Sequence, residues 1–294
     1  MFALLLRIAA MAAVSTMFML VKYAGERGIA LPEMMFWRQL IPVLILFGWL
    51  WARGNLAVLR TKRLTRHAIR AGSGMFGMMC GFSASMFLPL AEATTLGFTT
   101  PLFAVILTAL VLKERVGRYR WTAVIIGFIG VLIVTQPGGE PINPLGMAAG
   151  LTAGLMVAII SFQIRNLARS DGTTSVVFYF SLFGALMMAV PLPFFITSHS
   201  AFEWLLLLMI GVSGTIGQLL VSASLRNGAV ASVIVMDYSA LIWATLWGWS
   251  VFDRLPPYTT WLGAPAIITA GVIIAWREQK LARAITPASA MEGE

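Results

Sequence analysis

Ten long apolar runs follow one another down this chain, at about residues 3–24, 32–52, 68–89, 93–112, 119–136, 145–166, 174–196, 203–225, 229–251 and 258–276. A hydrocarbon layer about 30 Å thick is crossed by about 20 residues of α-helix, and a helix satisfies its own backbone donors and acceptors where no water can. Each run therefore predicts one membrane-spanning helix. The expected fold class is all-α integral membrane, with ten transmembrane helices joined by short turns. Those helices use nearly all of the 294 residues, which leaves no soluble domain for separate chemistry. A composition of 59% hydrophobic and 11% charged residues, with a mean hydropathy of +0.85, has the same implication.

The first run also has the parts of a secretory signal, with Arg7 as its charged region and Ala9 to Ala13 as small residues; we take it as a span. The only cysteine, Cys80, lies within the third run, so neither a disulfide framework nor a thiol metal cluster is expected, and Cys80 reads as a packing residue. The formal net charge of +9 is unevenly placed. With the N-terminus inside, sixteen Lys and Arg residues, from Arg53 to Arg283, fall in cytoplasmic segments, against Lys22, Arg27 and Arg254 outside. This bias predicts both termini in the cytoplasm, with 277–294 as a cytoplasmic tail. It also explains the basic charge without a nucleic-acid partner. The expected partners are a small-molecule substrate and membrane lipid, with the chain a monomer or a homodimer.

Sliding the sequence over itself shows an internal copy. At a shift of 139 residues Ser83-Ala84-Ser85 falls on Ser222-Ala223-Ser224, Pro101-Leu102 on Ala240-Leu241, Glu114-Arg115-Val116 on Asp253-Arg254-Leu255, and Tyr119 on Tyr258. At 142, the stretch 34–40 falls on 176–182. The domains expected are therefore two homologous repeats, 3–136 and 145–276, joined by the Pro- and Gly-containing linker 136–144. Five spans is an odd number, so the second repeat would enter the membrane from the opposite side. Inverted repeats are a signature of secondary transporters, because two equal halves give one fold with inward-open and outward-open forms of similar energy. Duplication retained only for stability is the competing reading.

The stretch PLAEATTLGFTTPLFAVILTALVLKERVGRYRWTAVIIGFIGVLIV resembles the hallmark of the EamA repeat of the drug/metabolite transporter superfamily: a short turn between third and fourth spans, a proline in the fourth, an acidic-basic pair closing it, and a glycine-spaced fifth. The second half departs from the pattern, with Ala240 in the place of Pro101, so loosening of the helix by proline is expected only in the fourth span. The resemblance implies a ten-helix carrier whose central cavity is lined by spans 1 to 4 and 6 to 9. It also implies relatives that export amino acids and drugs or import metabolites such as riboflavin and S-adenosylmethionine.

Insertion energetics select the residues to watch, since an ionised side chain deep in a bilayer costs about 3 kcal/mol and should face a partner or a wet cavity. Arg38 lies about 9 Å from the outer end of the second span, and Asp237 about 12 Å from the cytoplasmic end of the ninth, at 1.5 Å rise per residue. Their counterparts are Phe180 and Phe98, so neither charge is a symmetric scaffold feature. Both are candidates for opposite walls of one substrate site, where a zwitterion could engage both. Packing or snorkelling remains open for Arg38, and a protonated core carboxyl for Asp237. Tyr238, Gln163, Gln218 and Tyr179 are candidate hydrogen-bonding groups, and Trp37 and Trp243 are candidate stacking surfaces. Glu92, Lys22 and Thr99 are candidates for gating. A Glu92–Arg38 pair at the outer mouth and simple interfacial placement are both open, and Lys22 is expected to snorkel. The faces bearing Thr95, Thr99 and Leu102, and their mates Ile234, Tyr238 and Leu241, are expected to line the cavity.

No lysine is followed by Ser or Thr, so there is no Walker A loop for ATP. His67 and His199 are expected in loops on opposite sides of the membrane, which provides no metal site and no Ser-His hydrolase. No cofactor and no enzymatic activity are expected. The leading expectation is a secondary transporter of the bacterial inner membrane moving a small organic metabolite by alternating access, with export of an amino-acid-like solute or drug favoured. The alternatives are an importer of a cofactor-like metabolite of the riboflavin or S-adenosylmethionine type, and a non-transporting membrane protein.

Overall fold

Helices occupy the apolar runs, and no β-strand occurs among the described residues. The structure, a computed structural model, describes residues 2–111, 113, 116–135, 143–167, 172–227 and 235–289. Its helices are α1 (Phe2–Glu26), α2 (Leu31–Ala52), α3 (Leu64–Phe87), α4 (Leu90–Gly97), α5 (Thr100–Leu110), α6 (Arg118–Thr135), α7 (Pro144–Leu167), α8 (Thr173–Ala189), the short α9 (Leu192–Phe195), α10 (Ala201–Asn227), α11 (Ala240–Phe252) and α12 (Tyr258–Ser289).

Among the described residues, six segments are long and apolar enough to cross a membrane: α1, α2, the α4–α5 pair, and the stretches Pro144–Gln163 of α7, Ala201–Ser224 of α10 and Tyr258–Arg277 of α12. The other four expected spans fall on less ideal helices. α3 starts with Arg66, His67 and Arg70 in its first two turns, and α6 has 18 residues and opens on Arg118-Tyr119-Arg120. α8 has 17 residues, and α11 has 13 behind a 3-10 turn. The linker 136–142, and residues 229–234 of the ninth run with Ile234, lie outside the described residues. α12 is continuous to Ser289, so the expected tail is helical through most of its length.

Local chemistry sets the helix ends. Gly28, at φ +86°, adopts the left-handed conformation that lets the chain reverse between α1 and α2, and Pro32 occupies the first turn of α2, where its missing N–H costs nothing. α3 stops before Leu88-Pro89 because a residue ahead of proline disfavours the helical region.

The fourth run breaks at Phe98-Thr99, between α4 and α5. Pro101 has no N–H to give the Gly97 carbonyl. The Thr100 hydroxyl replaces it, donating to Gly97 O at 2.9 Å and to Gly154 O of α7 at 3.2 Å. The ninth run is interrupted too, by the 3-10 turn Met236–Ser239 ahead of α11. This second turn contains no proline, so loosening in this chain has a cause besides the one expected for the fourth span. Tertiary bonds hold the ninth-run turn, through Asp237 to Arg7 and from the Ser15 hydroxyl to Ala240 O at 3.2 Å.

Long interfaces join α1 to α10, α3 to α7, α6 to α12 and α2 to α8. α7 meets the break in the fourth run through glycine, since a Cβ at Gly150 would come within 2.8 Å of Leu96 and one at Gly154 within 2.5 Å of the Thr99 hydroxyl. Leu44, Trp51, Leu132, Leu145, Ile242 and Leu262 point outward and are exposed. A surface this apolar would be costly against water and costs nothing against lipid tails.

Candidate functional site

A cavity of ≈ 460 Å³ lies at the centre of the molecule, within the range of small-molecule sites. It is bounded by α1, α2, α3, α4, α7, α8 and α10, by Thr100 of α5, and by the segment carrying Asp237 and Ala240. Met11, Phe18, Met78, Phe82 and Val157 make much of the wall apolar, while glycines of α3, α4 and α7, among them Gly77, Gly81, Gly97, Gly150 and Gly154, leave space by having no side chain. Three charged side chains line it, Arg38, Arg70 and Asp237, together with Gln218.

Asp237 is not alone. Arg7 of α1 grips it with both prongs, Nη2 donating to Oδ2 at 2.7 Å and Nε to Oδ1. Arg7 is buried, whereas the Asp237 side chain is 31% exposed, toward the cavity it lines. The fork geometry of a guanidinium on a carboxylate makes this a strong, directional pair.

Arg38 is buried in the middle of α2 and donates from Nη1 to Oε1 of Gln39, which in turn donates to Met75 Sδ at 3.0 Å. Its Nε has no hydrogen-bond partner. Arg70 is buried in the second turn of α3, with Nε and Nη1 unpartnered. Both guanidinium carbons lie over the Phe180 ring of α8, at 5.9 Å for Arg38 and 4.2 Å for Arg70. Gln218 of α10 faces the cavity with a buried Oε1 that accepts no bond.

The remaining sequence candidates lie elsewhere. Tyr238 turns from the cavity into an apolar cluster, its ring edge-on to Phe98 at 4.9 Å, and Trp243 and Leu241 pack in the same cluster. Gln163 donates to Ser73 Oγ at 3.1 Å, and Tyr179 donates to Leu59 O at 2.7 Å, neither lining the cavity. Trp37 stacks edge-on against Trp204 at 5.2 Å. Thr99 and Thr95 are buried and back-bonded to Leu96 O and Ala91 O. The cavity face of the fourth run is instead Ala93, Thr94, Gly97, Phe98 and Thr100, the opposite side of α4 from the one expected.

Lys22 does not snorkel. Its Nζ is buried and donates to Leu88 O at 2.9 Å, Ser85 O at 3.2 Å and Met86 O at 3.4 Å, closing the carbonyl end of α3. The Glu92–Arg38 pair is not formed: Arg38 bonds Gln39 instead, while Arg7 pairs with Asp237 and His199 with Glu33 and Glu203. Glu92 is buried at the start of α4, within electrostatic reach of Lys22. His199 is in a loop as expected, bonded at 2.8 Å to the buried Glu33 of α2. His67 is not; it lies in α3, buried, with its ring 4.9 Å from that of Tyr179. α3 begins a turn before the apolar run, because a helix end that meets water needs no apolar residue.

Two lining or supporting charges escaped sequence reasoning. Arg7 and Arg70 sit near the N-terminal ends of α1 and α3, where a basic residue has a sufficient explanation as a topology signal.

Comparison with known proteins sets this cavity in a family. The model of the EamA-like transporter family matches residues 1–136 and again 144–276. A pseudopaline exporter of Pseudomonas aeruginosa is 29% identical over 244 residues, covering 82% of this chain and 85% of that one. A riboflavin transporter of Vibrio cholerae is 29% identical over 245 residues, covering 83% and 82%. An S-adenosylmethionine uptake transporter of Rickettsia prowazekii is 26% identical over 260 residues, covering 88% and 87%. A solved crystal structure superposes with a TM-score of 0.62 over 97% of this chain and 98% of the other at 23% identity, and so shares its fold.

Proposed function

The chain belongs to the EamA-like transporter family, and from that premise we propose that it is a secondary carrier of the bacterial inner membrane, moving a small organic solute through the central cavity by alternating access. Ten spans in two inverted five-helix repeats, 3–136 and 145–276, with both termini and the 277–294 tail cytoplasmic, complete the reading. Three features support the duplication. The family model matches twice, both the fourth and the ninth runs are interrupted, and the packing pairs exchange with one another when the halves are swapped, α1–α10 for α7–α3.

The observation that carries the function is the cavity itself, walled by helices of both matched segments, with Arg38, Arg70 and Asp237 in its lining. Helix interruptions at membrane depth are tolerated where they line a cavity. In the sequence reading, Arg38 and Asp237 hold the two ends of a zwitterion. The Arg7–Asp237 pair changes that, because the carboxylate already has its cation and offers less to a substrate ammonium. An amino-acid-like solute accordingly loses its special support.

Flux into liposomes reconstituted with the purified protein tests the proposal, with riboflavin, S-adenosylmethionine, amino acids and organic acids as candidate solutes. Saturable flux of at least one solute, abolished in Arg38→Gln while the variant melts like the parent, is the expected result. Flux equal in parent and variant would remove Arg38 from the pathway, and no flux of any solute in either orientation would count against a carrier.

A further inference from the structure

We propose that the cavity is built for an organic anion, its carboxylate held between the Arg38 and Arg70 guanidinium groups beside the Phe180 ring. This rests on the reading of the cavity as a solute site. The charge balance comes first: Asp237 is neutralised by Arg7, which leaves Arg38 and Arg70 without a carboxylate among the described residues. A buried cation without a counter-charge is costly, and a fold that needed it only for packing would supply an acceptor.

The orphaned donors come second. Arg38 Nε, Arg70 Nε and Arg70 Nη1 are buried N–H groups with no acceptor, on side chains more than nine-tenths buried that line an open cavity. Arg70 gains nothing from the dipole of its own helix, since it lies near the N-terminal end of α3, where a cation is disfavoured. Phe180 offers both guanidinium groups a ring face, their carbons lying 5.9 and 4.2 Å from its centre. Two planar forks gathered at one ring in one cavity wall suit a planar carboxylate. The rest of the wall is apolar, with Met11, Phe18, Phe82 and Val157, so the anion should carry an apolar body rather than be a bare inorganic ion. The free Gln218 Oε1 would accept from a hydroxyl or N–H on that body.

Thermal melting of the purified full chain tests this with 4-hydroxybenzoate, glutarate, citrate, inorganic phosphate and tyramine, an ammonium cation that has a phenol ring and no carboxylate. The carboxylates, 4-hydroxybenzoate before citrate, are expected to raise the melting temperature saturably. The half-saturating concentration should rise about tenfold or more in Arg70→Gln and in Arg38→Gln, and less in Arg70→Lys, which keeps the charge but not the fork. Without ligand, Arg70→Gln should melt at or above the parent, because it removes an unpaired charge. Saturation by tyramine but by no carboxylate, phosphate alone acting, responses equal in parent and variants, or a ligand-free Arg70→Gln melting several degrees lower would each overturn the inference. Its failure is distinguishable from that of the carrier: flux of a cation in liposomes would leave the carrier standing without the anion site, whereas arginine-dependent binding without flux would leave the site standing without the carrier.

Discussion

Around Pro101 the helix gives way where a donor is missing; around Ala240 the donors are present and a 3-10 turn replaces the α-helix all the same. The register of 139 residues lays one interruption on the other, Phe98 on Asp237 and Pro101 on Ala240. In the fourth run a local device repairs the backbone, the Thr100 hydroxyl serving the carbonyl that proline abandons. In the ninth the repair is tertiary, through Arg7 and Ser15 of α1. The place of interruption thus goes with position beside the cavity, and proline is one of two ways to maintain it. The two mates also divide labour, since one brings a phenylalanine to the cavity wall and the other an ion pair.

The largest test of this contrast removes one half of the ion pair. Asp237→Leu leaves Arg7 buried and uncompensated and should destabilise by about 3 kcal/mol, whereas Arg7→Met leaves a carboxylate that the cavity can still hydrate and should cost about half as much. Arg7→Met with Asp237→Leu should return to within about 1 kcal/mol of the parent. Melting curves of the four proteins check this; two equal single-variant losses would mean that the pair is not anchored by the burial of Arg7. Next in size, Thr100→Val strands the Gly97 carbonyl and should cost about 1 to 2 kcal/mol, read from the same melts.

Ala240→Pro is the sharper probe of geometry. Ala240 N–H donates to Asp237 O within the turn, so proline there should cost about 1 to 2 kcal/mol, against about 3 for Ala185→Pro inside α8. Comparable losses at the two sites would argue that the ninth run is a continuous helix. The smallest effect is expected for Pro101→Ala, a few tenths of a kcal/mol, with the break retained because Thr100 still binds both carbonyls. A variant whose cavity closed, seen as loss of ligand-induced stabilisation, would show that proline is required after all.

Much of the fold is legible in the sequence, because each span declares itself by the absence of charge over a helix length. Arg38 and Asp237 are legible for the converse reason, a charge where insertion is expensive. That logic has no force at helix ends, where a cation costs little, so Arg7 and Arg70 could not be told from the other basic residues near helix ends. Nor does hydropathy carry the rotation of a helix about its axis, which is why the sequence points to Thr95 and Thr99 on the cavity face of the fourth run and the structure presents Thr94 and Gly97. The turn at Met236–Ser239 contains no residue that breaks helices, and what bonds it, Arg7 of α1, is more than two hundred positions away.

Lys22 has a mechanical consequence. Its ammonium group occupies three carbonyls from the end of α3 and the turn that follows, so α1 cannot draw back without leaving a charge and three acceptors bare in a low-dielectric place. α1 is therefore riveted to the α3–α4 corner, and whatever rocks in this molecule moves with that corner as one lever arm. Under the proposed alternating access, the pivots fall elsewhere, between helices whose contacts are apolar.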